Sequence, residues 1–559
     1  MNFYKFLLVS AVIFFGVLGL AKSSWAADFY VAQNQVGAND GSNCSNARSV
    51  SWFNTASNWA NPKQAGKVGP GDTIHLCGTF TFAANDSTNG ILKIPGSGSD
   101  GSPVTILFED GAKLQSPQFS TNGAIFCHWY WGCHGNVIID GGTNGIIENT
   151  DNGTGLAYHA ASTGVVVSGW SSLQTTSNVE VKNLTIRNIY LNLGSSPEAS
   201  DTDGQGTMGI SIGGNLTNIS IHNNIVSNSR IGINGGFDGV TWNNIDIYNN
   251  YVSDHCWGMS IAGLRVTSSA TNVTIHNNEI TGWLNWQCPA NAKYCTDKTD
   301  VYHTDGIITW SGNNEGTPVY APLIYNNYIH GNLGNGSPTG FIYCTVGNPI
   351  ANTTPGSECI IFNNLLVGED GGVGRVWFGG NTENNKLYNN TFIGMSSNPS
   401  STFNPCIISS SLGGDIYKNN ICINFSQVFA TQWAGDPATI ISAMDNNIFY
   451  NFNTPNPNRL YFGSGYAYSL AQWRALGRDV NSVTTNPLLD SSYKPTVGSS
   501  AINAGADLSS VGITALNSDK AEVTRPQGSA WDIGAYEYAA ASPPPDTTPP
   551  SPPQNVSVS

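Results

Sequence analysis

Two short segments hold the residues best equipped for chemistry: Ser253-Asp-His-Cys-Trp257 and Tyr302-His-Thr-Asp-Gly-Ile307. Asp254 and Asp305 form a candidate pair of carboxyls for general acid and base work, and His255 and His303 are candidate bases near neutral pH. Arg230, Lys293 and Lys298 are cations available to neutralise an acidic group on a ligand. Asp297 and Asp300, like Asp201 and Asp203, supply oxygen ligands of the kind calcium takes, though without a regular calcium-loop spacing. Trp257 and Trp310, with Trp283 and Trp286, offer ring faces that stack on a ligand or pack in a core. Lys293, Asp297, Lys298, Asp300 and Asp305 put five charges into the fifteen positions 291–305, against 11% charged residues overall. Each residue also has a plainer reading. Asp305-Gly306 suits a turn, and His255 and His303 share strand parity with Ile210 and Met259, which would let them pack inward.

What positions these segments is a repeat. Asn218-Ile-Ser-Ile-His-Asn-Asn224 recurs as Asn244-Ile-Asp-Ile-Tyr-Asn-Asn250 and Asn272-Val-Thr-Ile-His-Asn-Asn278, with shorter copies ending at Asn327, Asn364, Asn390, Asn420 and Asn447. The first Asn of each pair advances by 26, 28, 49, 37, 26, 30 and 27 residues from Asn223 to Asn446. A minimum near 26 with occasional insertions predicts a solenoid whose extra residues bulge from a fixed coil. Alternation of apolar and polar residues inside each phrase predicts strands. Asn pairs fit the turns, because Asn tolerates left-handed backbone, and stacked Asn side chains can form a ladder. A second strand aligns on a glycine in Met208-Gly-Ile-Ser-Ile212, Ile231-Gly-Ile-Asn234, Trp257-Gly-Met-Ser-Ile261 and Asp305-Gly-Ile-Ile-Thr309. In that register Asp305 is the one acid in a column of Met208, Ile231 and Trp257, and His222 and His276 share a structural column with Tyr248 and Tyr325.

Composition narrows the classes. Hydrophobic residues make up 40% of the chain and aromatics 11%, which excludes wholesale disorder. Scarcity of Lys, Glu and Arg disfavours a helical protein, and a net charge of −15 disfavours nucleic-acid binding through a basic face. Residues 1–26 read as a signal peptide, with apolar Phe6–Leu20 and Ser24-Trp25-Ala26 before the cleavage point. No later segment reads as a membrane span. Loss of Lys5 and Lys22 takes the exported chain from −15 to −17. Export makes disulfides the expected use of the 11 cysteines, pairing Cys44 with Cys77, Cys127 with Cys133, Cys288 with Cys295, Cys344 with Cys359 and Cys406 with Cys422. Cys256 is left over, either as a buried thiol or as a partner in some other pairing.

Short strands on coils of this length, with Asn turns and the entry segments Asp28-Phe-Tyr-Val-Ala32 and Gly69-Pro-Gly-Asp-Thr-Ile-His-Leu76, resemble the right-handed parallel β-helix of the pectin-lyase-like superfamily. The resemblance covers roughly residues 28–540. It implies an all-β solenoid with N- and C-terminal caps, and a polysaccharide substrate cleaved in a groove by a glycoside hydrolase or a polysaccharide lyase. His303-Thr-Asp-Gly-Ile307 is similar to the Asn-Thr-Asp-Gly segment of polygalacturonases with His in place of Asn. The Asp pair that those enzymes carry on the next coil is replaced here by Gly336-Ser-Pro-Thr-Gly340. Hydrolysis would use Asp254 and Asp305. Elimination would use His255 or His303 as base, with Arg230, Lys293 and Lys298 or calcium offsetting the repulsion between an acidic chain and a polyanion. A non-catalytic surface stalk, adhesin or glycan-binding β-helix is the competing expectation.

The expected organisation is an N-terminal cap and first coils over 27–110, the β-helix over 111–485, and a cap segment over 486–540 placed on the last coil. Ser500-Ala-Ile-Asn-Ala-Gly505 and Trp531-Asp-Ile-Gly-Ala-Tyr-Glu537 resemble the terminal segment of secreted bacterial β-helix proteins. Residues 541–559 read as a Pro-rich linker followed by either the start of a fibronectin type III domain or a short β tail.

Overall fold

The computed structural model describes residues 26–86, 92–153, 156–158, 160–169, 174–189, 207–235, 242–262, 272–282, 304–311, 322–331, 339–346, 358–369, 374–380, 382–394, 404–431, 435–452, 460–463 and 465–539. The expected signal peptide, the Cys288–Cys295 pair and residues 540–559 lie almost wholly outside them.

Each coil presents a strand to three faces in turn. On the first face, 14 strands among the described residues stack in parallel, from Arg48–Ser49 and Asp28–Ala32 at one edge to Ile441–Asp445 at the other. The second and third faces merge into one 23-stranded sheet, because strands β1 (Ile225–Gly235) and β2 (Tyr251–Ala262) run round the corner between them. Pairing is parallel from coil to coil in every named ladder but the terminal hairpin of Tyr461–Gly463 with Tyr466–Tyr468. The chain is a right-handed parallel β-helix. Inward positions such as Ile219, Ile245, Val273 and Ile324 are fully buried or nearly so and join one core running the length of the molecule. No single strand could bury its apolar face; stacking does it.

The Asn phrase has two distinct jobs. Its first Asn takes the left-handed conformation, with φ of 56° at Asn223, 53° at Asn249 and 54° at Asn277. Its second Asn points inward and forms a ladder: Asn224, Asn250, Asn278, Asn327, Asn364, Asn390, Asn420 and Asn447 each donate to or accept from the next at 3.0–3.2 Å. Asp479 accepts from the last rung at 3.1 Å. A second ladder joins Asn136, Asn178, Asn218 and Asn244 at another corner. On the outer side of the first face, His222, Tyr248, His276, Tyr325 and Phe362 stack with ring planes within 7° of parallel, the structural column read from the sequence.

The aligned glycines also have a steric cause. A Cβ on Gly209, Gly232, Gly258 or Gly306 would lie 2.5–2.6 Å from the carbonyl oxygen of the next coil, closer than any side chain permits.

The disulfides Cys44–Cys77, Cys127–Cys133, Cys344–Cys359 and Cys406–Cys422 are formed, and Cys256 is a buried thiol. At the N-terminal end, helix Val50–Phe53 lays buried Phe53 against Trp59 over the first coil. At the other end the structure corrects the sequence reading. The last coil is capped by the terminal hairpin and helix Leu470–Ala475, whose buried Trp473 stacks on Tyr461 at 4.4 Å. Residues 486–539 instead fold back along the flank as a strap. Leu508, Leu516 and Trp531 of the strap cover Ile360, Phe362 and Tyr388 on the outer side of the first face, and Arg525 and Glu537 form a fully buried ion pair at 2.7 Å. The reason is apolar surface: these coils carry Phe and Tyr outward, and only a returning segment removes them from water.

Candidate functional site

The acid-and-histidine segments meet on the third face. Three more strands matter here: β3 (Asp305–Ser311), β4 (Gly340–Val346) and β5 (Val376–Phe378). Register places Ile231, Trp257 and Asp305 in one column, the alignment read from the glycines, and adds Gly340 to that column. One residue earlier, the same register puts Arg230, Cys256, Thr304 and Thr339 level with one another.

Asp305 is completely buried. The Thr339 hydroxyl donates to its Oδ1, and Arg375 attracts it as a charge. Arg375 is tied down by an Nε bond to the Thr339 carbonyl at 2.6 Å, and its guanidinium lies 5.7 Å from the Trp377 ring centroid. Burial lowers the Arg375 pKa to about 10, with the Asp305 charge opposing the shift, so the guanidinium stays charged at neutral pH. Arg230 is also buried. It lies over the Trp257 ring at 5.2 Å and bonds Cys256. Burial pushes the Cys256 thiol up to about 12, Arg230 opposing and Asp305 assisting, which excludes a ready thiolate nucleophile. Two arginines and one carboxylate are therefore set into a chain of strongly negative net charge.

Asp254 occupies a corner. It has φ of 52° and stands level with Asn228, which receives the same conformation and bonds Asn188 at 2.9 Å. Its acid thus replaces the Asn that this corner otherwise uses. Burial raises the Asp254 pKa. Next to it, Gly282 has φ of 82°, and a Cβ there would approach the Asp254 amide nitrogen to 2.8 Å and its Oδ1 to 3.3 Å. Gly282 is the last described residue before the charge-dense insertion, and Thr304 and Asp305 follow it. Gly282 and Thr304 thus bracket residues 283–303 in the sequence, with Asp254 against Gly282.

His255 is fully buried and burial drives its pKa down to about 3. Its ring lies over Gly258, where a Cβ would meet Cε1 at 3.0 Å. Trp257 is half-buried. His303, Lys293, Lys298, Asp297 and Asp300 lie outside the described residues, as does the side chain of Trp310. Among the described residues no group of three His, Cys, Asp or Glu side chains could hold a metal ion, and no helix is long and apolar enough to cross a membrane.

Sequence reasoning missed three participants. Arg375 and Trp377 sit in Gly374-Arg-Val-Trp377, a segment with no acid or histidine to mark it, and Thr339 sits in a segment read for the acids it lacks. Register explains Arg375: Phe341 and then Arg375 follow Gly306 in its column, which puts the guanidinium two coils from Asp305 and one residue along. Trp377 also holds a buried indole Nε1 without a hydrogen-bond partner. Elsewhere, a cavity of about 480 Å³ lies at the seam where the strap meets the second face, between Glu279, Tyr328, Tyr493, Lys520 and Tyr536.

No protein-family model and no curated protein matches the chain. Solved structures similar to it include the pectate lyase Pel9A, 16% identical over 92% of this chain and 96% of that one with a TM-score of 0.40. The GH136 lacto-N-biosidase from Eubacterium ramulus is 13% identical over 82% of this chain and 67% of that one, with a TM-score of 0.37.

Proposed function

We propose that the protein is a secreted glycoside hydrolase that binds an extracellular glycan across the third face, with Asp254 as general acid and Asp305 as the ionised carboxylate. The observation that carries this reading is the division between the two acids. Burial lifts the Asp254 pKa and favours its protonated form, whereas Asp305 has a hydroxyl donor and an attractive guanidinium beside it. Such separation of two carboxyls by environment is what acetal cleavage requires. Trp257 is level with Asp305 and offers a half-buried ring face to a sugar. The disulfides support an oxidising compartment.

Elimination from a uronate is the second reading, and the arginine pair favours it: Arg230 and Arg375 would neutralise the uronate carboxylate. It wants a proton acceptor near neutral pKa, and His255 at about 3 is a weak one, leaving His303 for that role. Calcium at Asp297 and Asp300 belongs with this reading, and a chelator would then abolish activity.

The test is a panel of neutral and acidic polysaccharides, followed by reducing ends and by the ultraviolet absorbance of unsaturated uronates. Hydrolysis gives reducing ends without absorbance; absorbance establishes elimination instead. No product from any polymer, with binding retained, returns the molecule to the class of glycan-binding stalks.

A further inference from the structure

A second surface feature lies on the same sheet as Asp305, near the N-terminal end. Strand Ile125–His128 leads into the turn Trp129–Trp131, closed by Gly132 in left-handed conformation with φ of 104°. Tyr130 and Trp131 are 58% and 49% exposed and meet edge to face at 5.2 Å. Exposed aromatics on a turn would ordinarily be mobile, but this turn is locked from several sides. The Cys127–Cys133 disulfide closes its base. Trp129 stacks on His134 at 4.4 Å, and the Tyr130 amide donates to His128 Nδ1 at 3.1 Å. Ser97 of the preceding coil bridges it, donating to the Gly132 carbonyl and accepting from the His134 amide at 2.7 Å. Lys93 reaches over Trp131 at 5.1 Å.

Rigid aromatic faces with a rim of His128, His134 and Lys93 match the two sides of a pyranose, whose C–H face stacks and whose hydroxyls seek donors and acceptors. A protein partner fits poorly. The exposed aromatic surface is roughly 200–300 Å², while a stable protein interface takes about 800 Å² from each side.

We propose that Tyr130 and Trp131 form a distal sugar-binding subsite for the same glycan chain that is cleaved at Asp305. Register sets the two sites apart across the sheet as well as along it: His128 is level with Trp310, five residues past Asp305, or roughly 17 Å along the strand direction. Strand Ile125–His128 pairs with Thr163–Ser168, that strand with Met208–Gly213, and the ladder continues through β1 and β2 to β3. These five steps amount to about 24 Å along the helix axis at ~4.8 Å each. A di- or trisaccharide therefore occupies one place or the other, and only a polymer engages both. The proposal rests on the glycan reading given above.

The test uses native gels containing soluble xylan, β-1,4-galactan or polygalacturonate, with the wild type, Asp305→Asn and the double variant Tyr130→Ala/Trp131→Ala. The expected result is retardation by one polymer in the wild type and in Asp305→Asn, weakened at least fivefold in the double variant. That variant should also raise KM for the polymer several-fold while leaving KM and kcat for a trisaccharide of the same linkage unchanged. Both rings are exposed, so its melting temperature should match the wild type. Retardation that survives the double substitution, or none with any polymer, overturns the proposal. Retardation that depends on the rings in a protein that cleaves nothing upholds the subsite and rejects the hydrolase.

Discussion

Asp254 Oδ1 lies 3.3 Å from where a Cβ on Gly282 would stand, so the acid and the root of the charged insertion occupy one corner. Glycine is required there twice over, by its φ of 82° and by the carboxyl against it. A Gly282→Ala substitution should displace Asp254, lowering kcat by at least tenfold and also lowering the melting temperature, because the native φ disfavours any Cβ. An unchanged kcat would separate that corner from catalysis.

Replacing either acid should be more severe. Asp305→Asn and Asp254→Asn should each reduce kcat by about 10²–10⁴. Because Asp254 must hold a proton, activity should fall as pH rises through its raised pKa, and Asp254→Asn should remove that limb of the profile. Asp254 and Asp305 are offset by one coil and by three residues along the strand, roughly 5 Å by 10 Å. That backbone spacing of about 11 Å between the two acids exceeds both carboxyl ranges, and of the two it is nearer the inverting one than the retaining one, so inversion is the expected outcome. Proton NMR of the first-formed anomer reads this directly, and retention would require another nucleophile.

The Asn ladder predicts a steep cost for one small change. Asn327 donates to Asn364 Oδ1 and to the Ile275 carbonyl, and accepts from the Asn278 amide and side chain, all at 2.9–3.0 Å in the core. Asn327→Ala strands several of these groups and should cost about 2–4 kcal/mol. Its neighbour Asn326 serves through its φ of 56°, so Asn326→Gly should cost well under half as much. Urea unfolding of the pair distinguishes the two roles.

Asp415 gives a pH signature in stability. It is fully buried, with Asn385, Ser409 and Tyr417 donating to it, and burial raises its pKa to about 6. A folded-state pKa above the unfolded value means that the native state holds the proton more tightly. Its contribution is thus complete below about pH 4 and is lost as pH rises through 6, an effect of at most about 3 kcal/mol. Asp415→Asn should therefore raise the melting temperature at pH 7.5 relative to the wild type and leave pH 4 nearly unchanged. A melting curve in which the variant gains nothing at pH 7.5 would contradict it.

Arg525 and Glu537 supply a contrast between charge and packing. Breaking the pair with Arg525→Leu should destabilise by about 3–5 kcal/mol, because Glu537 remains buried with a charge unmatched. Arg525→Leu combined with Glu537→Leu should recover a large part of that loss.

What could be read in advance followed from periodicity. Asn218, Asn244 and Asn272 mark a coil whatever surrounds them, and the glycine column gave the register of Asp305 because steric exclusion leaves only one residue type. The strap escaped the same reading. Leu508, Leu516 and Trp531 have no period, and their destination is decided by the outward aromatic Phe362 and Tyr388 far earlier in the chain. Arg375 escaped for a related reason: its meaning depends on Asp305 across two coils, and no pattern within its own coil requires a cation.

The strap also changes what kind of object the solenoid is. Stacked coils touch only their neighbours, so such a rod can open from any point along its length. Here Lys520 donates to the Asn326 carbonyl, 194 residues away in sequence, and Asn389 donates to the Asp532 carbonyl, 143 residues away. Coils from Leu323 onward are thereby bound into a single cooperative block that must form before the strap can dock. The coils carrying Arg230 and Asp254 remain outside it. Hydrogen exchange should find one end of the rod opening as a unit and the other coil by coil, with Asp305 near the border between them.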